Sequence, residues 1–228
     1  MHPGAVVGAV TDASKHLAAH IIRVSPTSRK ILGVIEHLDL DVQIEELPSF
    51  SGATLGPDYR SLNPNAKVPT LVHGDFVLWE SCAIIGYLAD LVPGTDLVPA
   101  DAQGRADMWR WVFWEAVHFT PALSRYFWQS FVKPHYALGQ PDADELKASL
   151  PGIETLAAIL DDRLRDRPFI MGSNPTLADF AVGSTSAHQR RGEVPLERFA
   201  NVRAWYDRLE ELPAWRRTLP PFDNERRA

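Results

Sequence analysis

The chain has 228 residues, which is enough to bury a core and to form one large domain or two modest ones. Its 45% hydrophobic and 23% charged residues are ordinary for a soluble globular protein, and the formal net charge of −6 argues against general nucleic-acid binding. The single cysteine, Cys82, excludes an intrachain disulfide framework and fits a reducing compartment, so we expect a cytoplasmic protein.

The N-terminal part of the chain opens with a segment of weak pattern. Residues 1–18 have no basic region before a short apolar run, which argues against a secretory signal and favours a flexible extension or a misassigned start. His20–Val24 is then predicted to be a strand, and Ser25 with Pro26 is typical of a helix N-terminus. The helix that follows is indicated by apolar residues at helical spacing: Ile31, Leu32, Ile35 and Leu38.

The next segments complete an α/β half of the chain. Asp41–Glu46 is predicted to be a second strand, and 47–62 is predicted to be a loop with one short helix. Thr70–Val72 and Phe76–Trp79 flank the tight-turn sequence HGD, which predicts a hairpin. A glutamate and a serine then stand at the start of an amphipathic helix. This places polar groups and free backbone N–H groups beside Pro69, an arrangement suited to a small anionic, peptide-like ligand.

The rest of the chain is predicted to be helical after a linker at 93–99 that is rich in proline and glycine. Thr120 and Pro121 are expected to kink or break the first of these helices. Two pairs have the spacing of a capping box and predict further helix starts: Asp142 with Glu145, and Thr176 with Asp179.

Four separated motifs give the chain a family resemblance. SPTSRK after a first strand, NPNAKVPTL, DFVLWESCAIIGYLAD and NPTLADF occur in an order and spacing that resemble the cytosolic glutathione transferase superfamily. The resemblance implies a thioredoxin-like N-terminal domain, here residues 19–92, then a linker at 93–100 and an all-helical domain at 101–228. It also implies a homodimer and a site for glutathione as co-substrate, with no metal.

The resemblance implies roles for residues in the central stretch. Val68 would make backbone hydrogen bonds to the cysteinyl unit of glutathione, with Pro69 in the cis form, although Pro69 could simply start an edge strand. Glu80 and Ser81 would hold the γ-glutamyl group, while Ser81 could equally be a plain helix cap. Lys67 would meet the glycyl carboxylate, or remain a solvated surface lysine.

Ser25 is the candidate to activate the glutathione thiol, with Thr27 and Ser28 as alternatives. Lowering a thiol pKa by two units needs about 2.7 kcal/mol, and one hydrogen bond to a charged group supplies about 1.5–3 kcal/mol. No tyrosine stands near the end of the first strand and no cysteine stands near Ser25, so the tyrosine and cysteine types of the family fit poorly. The other interpretation is that Ser25 only caps the helix.

The second substrate, a small hydrophobic electrophile, is expected against the start of the helical domain. Trp114, His118 and Tyr126 are candidates to line its pocket, together with Trp111 and Trp128, although aromatic residues at helical spacing usually fill a core. The predicted activity is conjugation of the glutathione thiolate to such electrophiles, as in detoxification. The alternatives are a glutathione-dependent disulfide or peroxide reductase and a non-catalytic glutathione-binding module.

Overall fold

The computed structural model describes residues 16–220 of the chain, so most of the predicted N-terminal extension lies outside the described residues. Within that range, a sheet with its helices comes first and a helical region follows, as the sequence predicted. No helix between residues 16 and 220 is long and apolar enough to cross a membrane.

The first region is built on four strands that form one mixed sheet in the order β2-β1-β3-β4. Strand β1 runs parallel to β2 and antiparallel to β3, and β3 forms the predicted hairpin with β4. Helices α1 and α3 pack against each other. The elements are β1 (Leu17–Ile21), α1 (Pro26–His37), β2 (Val42–Glu46), a 3₁₀ turn (Ala53–Leu55), α2 (Pro57–Leu62), β3 (Thr70–His73), β4 (Phe76–Trp79) and α3 (Ser81–Asp90).

The position of the first strand differs from the prediction, which placed it at His20–Val24. Strand β1 begins three residues earlier, and it pairs on both sides from Leu17 onward. The chain leaves the sheet after Ile21 because the Ser25 N–H donates to the Ile22 carbonyl at 2.9 Å, which closes a turn just before Pro26. Residues 22–25 are therefore a loop and not the end of a strand.

The second region is helical throughout. Its elements are α4 (Ala102–Trp114), a π-helical turn (Glu115–Phe119), α5 (Thr120–Phe127), a second π-helical turn (Trp128–Val132), α6 (Lys133–His135), α7 (Ala143–Arg163), α8 (Leu177–Gly183), α9 (Ser186–Arg191), α10 (Ala200–Glu211) and α11 (Pro213–Arg216). Asp142 caps α7 as predicted, with its carboxylate accepting from the backbone N–H groups of Asp144 and Glu145.

The helix was predicted to kink or break at Pro121, and it does not end there. Residues 102–135 form one continuous helical run, and each of its two prolines lies just after a π-helical turn. A proline lacks an N–H and clashes with the carbonyl four residues earlier, whereas a π turn widens the helix by one residue and relieves both problems. The run therefore continues past Pro121 to His135, with its side-chain register shifted at each π turn.

Helix α1 is buried between the sheet and the helical region, and its whole middle section, residues 28–35, is inaccessible to solvent. A Cβ added to Gly33 would lie 2.7 Å from the Trp215 ring, so α11 approaches α1 as closely as a glycine permits. Lys30 and Glu115 form an ion pair at 2.5 Å with both side chains 1% exposed. Burial alone would lower the pKa of Lys30, but Glu115 holds that pKa above its ordinary value.

The capping box at the start of α8 is a buried network. Asp179 is fully buried and accepts hydrogen bonds from the Ile170 N–H at 2.8 Å, the Thr176 N–H at 2.9 Å and the Trp205 indole N–H at 2.9 Å. These bonds join α8, α10 and the segment after α7, so the box predicted from the sequence also ties three parts of the helical region together.

We expect Asp179→Asn to lower the free energy of unfolding by about 2–3 kcal/mol at neutral pH, because an amide N–H₂ would face buried donors. Burial raises the pKa of Asp179 to about 6 from 3.8. A carboxyl with a raised folded-state pKa contributes stability at low pH that is lost as the pH rises from about 4 through 6. Chemical denaturation across that range should therefore show a pH dependence that the Asn variant lacks.

Trp205→Phe is the matched control, since it removes one donor and leaves the carboxylate in place. It should be destabilised and keep the pH dependence. If Asp179→Asn unfolds at the same denaturant concentration as the parent protein, the network does not hold the helical region together.

Candidate functional site

The predicted site residues converge at one end of the sheet. His20 of β1 pairs with Thr70 of β3, and Thr70 pairs with Trp79 of β4. The loop after β1, the residues before β3 and the start of α3 after β4 therefore leave the sheet at the same edge. This topology brings Ser25, Val68 and Glu80 to one place, although 55 positions separate the first from the last.

The loop that carries Ser25 is fixed from two sides. The Ile22 N–H donates to the Ser28 hydroxyl at 3.2 Å, and the ring Nε2–H of His188 donates to the Val24 carbonyl at 2.6 Å. Ser28 is completely buried and its hydroxyl supports this loop, so it is poorly placed to meet a ligand. His188 belongs to α9, and the helical region therefore positions a loop of the sheet region.

Ser25 stands at the N-cap position of α1, as predicted, but its hydroxyl makes no capping bond to the first turn. It bonds instead to the Thr27 hydroxyl, with 2.8 Å between the two oxygens. Thr27 in turn donates to the Val68 carbonyl at 3.1 Å. Two of the three hydroxyls proposed from the sequence are thus joined to each other and to the backbone next to Pro69.

The residues around Val68 form a rigid backbone edge. The Val68–Pro69 peptide bond is cis, as the sequence predicted. The preceding carbonyl, that of Lys67, accepts from the Tyr59 hydroxyl at 2.8 Å and from the Asn63 side-chain amide at 2.8 Å. These bonds hold the backbone in place while the Lys67 side chain stays exposed to solvent.

Glu80 and Ser81 adjoin this edge at the start of α3. Glu80 is exposed and has a φ of 74° and a ψ of 110°, a left-handed backbone conformation that is strained for a residue with a side chain. Strain of this kind clusters at ligand sites. Ser81 is buried, with its N–H in the first turn of α3, where the helix dipole favours a negative charge.

Ser25 also lies at the edge of a cavity of about 330 Å³ between the two regions. The sheet region contributes residues from two loops to the wall: Ile22, Val24, Ser25, Pro26, Ser49 and Phe50. Most of the remaining wall comes from the continuous helical run, as Leu123, Ser124, Phe127, Trp128, Phe131, Val132 and Tyr136. Phe50 covers part of the opening, with its ring 4.5 Å from that of Tyr136.

Of the aromatic side chains predicted to line a pocket for the second substrate, Trp114, His118 and Tyr126 are not among the residues that line this cavity. Trp114 stacks on Phe119 at 5.0 Å, and His118 is exposed. The residues of the helical run that line the cavity all come after Pro121, from Leu123 onward. Trp128 does line the cavity, but Trp111 packs in the core.

The cavity has a polar patch on one wall, supplied by Thr185, His188 and Gln189. All three side chains are at least nine-tenths buried, and the Gln189 amide donates to the Thr185 hydroxyl at 2.8 Å. Burial, and to a smaller extent the charge of Arg29, lowers the pKa of His188 to about 4. Its ring is therefore neutral at physiological pH. Sequence reasoning missed this patch because only the fold brings α9 next to the β1–α1 loop.

Cys82 follows Ser81 in α3 and is the single cysteine of the chain. Its thiol is partly buried and lies 3.4 Å from the Lys30 ammonium, beside the Lys30–Glu115 ion pair. Burial raises the pKa of this thiol, although Lys30 opposes the shift. Cys82 therefore belongs to the contact between the two regions. In the part of the chain that is described, no three His, Cys, Asp or Glu side chains are grouped so that they could hold a metal ion.

Two sequence families match most of the chain. Residues 24–91 match the family described as "Glutathione S-transferase, N-terminal domain", and residues 119–213 match "Glutathione S-transferase, C-terminal domain". Among curated proteins, "Glutathione S-transferase 3" of Zea mays is 32% identical over 208 residues, covering 86% of this chain and 92% of the relative. "Glutathione S-transferase D7" of Drosophila melanogaster is 29% identical, covering 86% and 85%.

Solved structures agree with these matches. The theta class glutathione S-transferase of Xanthomonas axonopodis pv. citri, solved with glutathione bound, superposes with a TM-score of 0.82 at 30% identity, covering 90% of this chain and 97% of that one. The apo structure of glutathione S-transferase III superposes with a TM-score of 0.77, also at 30% identity, covering 90% and 99%.

Proposed function

The chain belongs to the glutathione S-transferase family and is a glutathione transferase. On that premise we propose which of its residues bind glutathione and which residue activates the glutathione thiol. The observation that supports the proposal is the convergence, at one sheet edge, of the Val68 backbone, the strained Glu80 and the Ser25 hydroxyl. Together they offer partners to the three parts of glutathione.

The binding half of the proposal lies between β3 and α3. The backbone of Val68 would bind the cysteinyl unit of glutathione as an added strand, beside the cis Pro69. Glu80 would bind the γ-glutamyl ammonium, while the Ser81 hydroxyl and N–H would bind the γ-glutamyl carboxylate. Lys67, which is exposed beside this edge, would approach the glycyl carboxylate as a point charge.

The chemical half belongs to Ser25. Its hydroxyl lies where the glutathione edge meets the cavity, so it would donate a hydrogen bond to the thiolate as the sulfur faces the electrophile. A charge-assisted hydrogen bond of about 1.5–3 kcal/mol corresponds to a thiol pKa lowered by roughly one to two units. More thiolate at neutral pH means a larger nucleophilic fraction, and this is the contribution of the protein to the rate.

We expect Ser25→Ala to raise the pKa that governs kcat/KM by roughly one to two units, because the thiolate loses its hydrogen-bond donor. The measurement is the pH–rate profile with 1-chloro-2,4-dinitrobenzene under saturating glutathione. Binding of S-methylglutathione, which has no thiol, should stay within about twofold of the parent value by calorimetry.

Glu80→Gln is the complementary variant, since it removes the charge that meets the ammonium while the thiol activator stays. Its affinity for S-methylglutathione should fall at least about tenfold, with an unchanged kinetic pKa. If Ser25→Ala leaves the pH–rate profile as it is, Ser25 is not the activator.

The second substrate would occupy the cavity of about 330 Å³, which is within the usual range for small-molecule sites. Its lining from residues 16–220 includes no Asp, Glu, Lys or Arg, and the neutral His188 adds no charge at physiological pH. Burying an unpaired charge is strongly unfavourable. We therefore propose that the electrophile is uncharged, with an aromatic body and a polar neutral group directed to Thr185 and Gln189.

Three acceptors with one reaction centre test this substrate class: the 4-chloro-3,5-dinitro derivatives of benzoate, benzamide and benzotrifluoride. After division by the uncatalysed rate, kcat/KM for the benzoate should be at least about tenfold below that for the benzamide. Gln189→Leu should lower kcat/KM for the benzamide and spare the benzotrifluoride. Equal rates for benzoate and benzamide would contradict an uncharged substrate class.

An apolar stripe supports the proposal that the enzyme is a homodimer. The Phe76 and Tyr87 rings are 5.3 Å apart, Gly86 packs against Trp109, and the Trp109 and Phe113 rings are 5.9 Å apart. Phe76 is 48% exposed and Phe113 is 59% exposed. A continuous exposed aromatic surface that crosses both regions is a feature of association interfaces.

Phe113→Glu should therefore convert the protein from twice the chain mass to a monomer, since a buried carboxylate at the interface would lack a partner. Sedimentation velocity measures the change. Ile159→Glu is the matched control, because Ile159 is 46% exposed on α7, away from the stripe, and this variant should keep the parent mass. A parent protein that sediments as a monomer contradicts the proposal.

The free thiol of Cys82 is consistent with a cytoplasmic enzyme, and detoxification is the role that we propose.

A further inference from the structure

The Thr27 hydroxyl lies between two groups that the proposed function uses separately. It is 2.8 Å from the Ser25 hydroxyl and 3.1 Å from the Val68 carbonyl. A carbonyl can only accept, so the bond to Val68 uses the single proton of the Thr27 hydroxyl. Thr27 must then be the acceptor in its bond with Ser25, and the Ser25 proton points at Thr27. In this arrangement Ser25 has no proton to offer a sulfur atom.

Binding of glutathione would change which of the two hydroxyls donates in the Ser25–Thr27 hydrogen bond. The cysteinyl N–H of the bound tripeptide would be a second donor to the Val68 carbonyl, which already accepts from Thr27, and two donors on one oxygen weaken each other's bonds, so Thr27 is held there less strongly. A Thr27 hydroxyl displaced from Val68 has the Ser25 oxygen as its next acceptor, already at hydrogen-bond distance. Once Thr27 donates to Ser25, the Ser25 proton is free to point at the sulfur.

We propose that Thr27 is a positioning residue that reverses the direction of its hydrogen bond with Ser25 when glutathione binds, and so couples occupation of the Val68 edge to thiol activation. The inference rests on the proposed function, because it takes Ser25 as the thiol activator and Val68 as the cysteinyl acceptor. Consecutive hydrogen bonds polarise one another, so a Ser25 that accepts from Thr27 is also a stronger donor to the thiolate.

Direct measurement of the bound thiol pKa tests the relay. The thiolate absorbance near 240 nm is titrated with saturating glutathione in the parent protein and in Thr27→Val, Thr27→Ser and Ser25→Ala. Thr27→Val removes the relay and should raise the bound thiol pKa by roughly 0.5–1 unit. Thr27→Ser keeps a hydroxyl and should titrate like the parent protein. Thr27→Ala repeats the deletion if the valine variant fails to fold.

The double variant separates the relay from a general effect on the site. In the Ser25→Ala background, Thr27→Val should cause no further shift, because the relay acts only through Ser25. A thiol pKa in Thr27→Val that is unchanged, or lower than that of the parent protein, overturns the relay; a lower value would mean that Thr27 merely withholds the Ser25 proton. If Ser25→Ala itself leaves the pKa unchanged, the proposed role of Ser25 fails, whatever Thr27 does.

Discussion

The burial of α1 between the sheet and the helical region is the constraint on which the site depends. This helix carries Thr27 and is entered through Ser25, and its contacts on the helical side are close and specific. The absence of a side chain at Gly33 makes room for the Trp215 and Phe180 rings, and the ion pair of Lys30 with Glu115 is buried. Breaking a buried ion pair is strongly unfavourable, so this contact resists sliding of one region over the other. A cavity whose walls come from both regions can keep its shape only because that contact is fixed.

Local signals in the sequence were enough to predict much of the sheet region, including the elements that carry the proposed glutathione site. The hairpin and the start of α3 follow from turn chemistry and apolar runs between Thr70 and Asp90, where each residue acts on near neighbours. The capping box of α8 is also a local feature, whereas the cis bond before Pro69 was implied by the family resemblance and not by the local sequence. The proposed glutathione-binding role of this segment came from the family motifs, because no hydrophobic periodicity distinguishes a glutathione-binding edge from the end of any other strand.

What the sequence did not reveal depends on contacts between distant residues. Strand β1 was placed three residues too late because its register is set by pairing with β2 and β3, which no local pattern encodes. The helix was expected to kink or break at Pro121, and the π turn that lets it continue has no clear local signature. Phe127 lines the cavity but was not among the candidates, because the sequence does not show which face of this run meets the loops of the sheet region. The burial of the Lys30–Glu115 pair and of His188 was not predicted either, because it also depends on contacts between distant residues. Charged or titratable residues inside predicted helices normally face water.

The bonds that hold the Lys67 carbonyl have a consequence for the speed of recognition. Tyr59 and Asn63 hold this backbone by bonds within the protein, so the edge proposed to bind glutathione beside Val68 is formed without help from a ligand. A tripeptide that binds to a preformed edge loses its own conformational freedom, but no loop of the protein has to become ordered. The free-energy cost of binding is therefore smaller by about 0.5–1.5 kcal/mol for each side chain that is already immobilised. Association can then proceed at the rate of correctly oriented encounters, without a slower folding step. The differences in affinity between glutathione, its conjugates and its analogues should therefore arise mainly from the rate of dissociation.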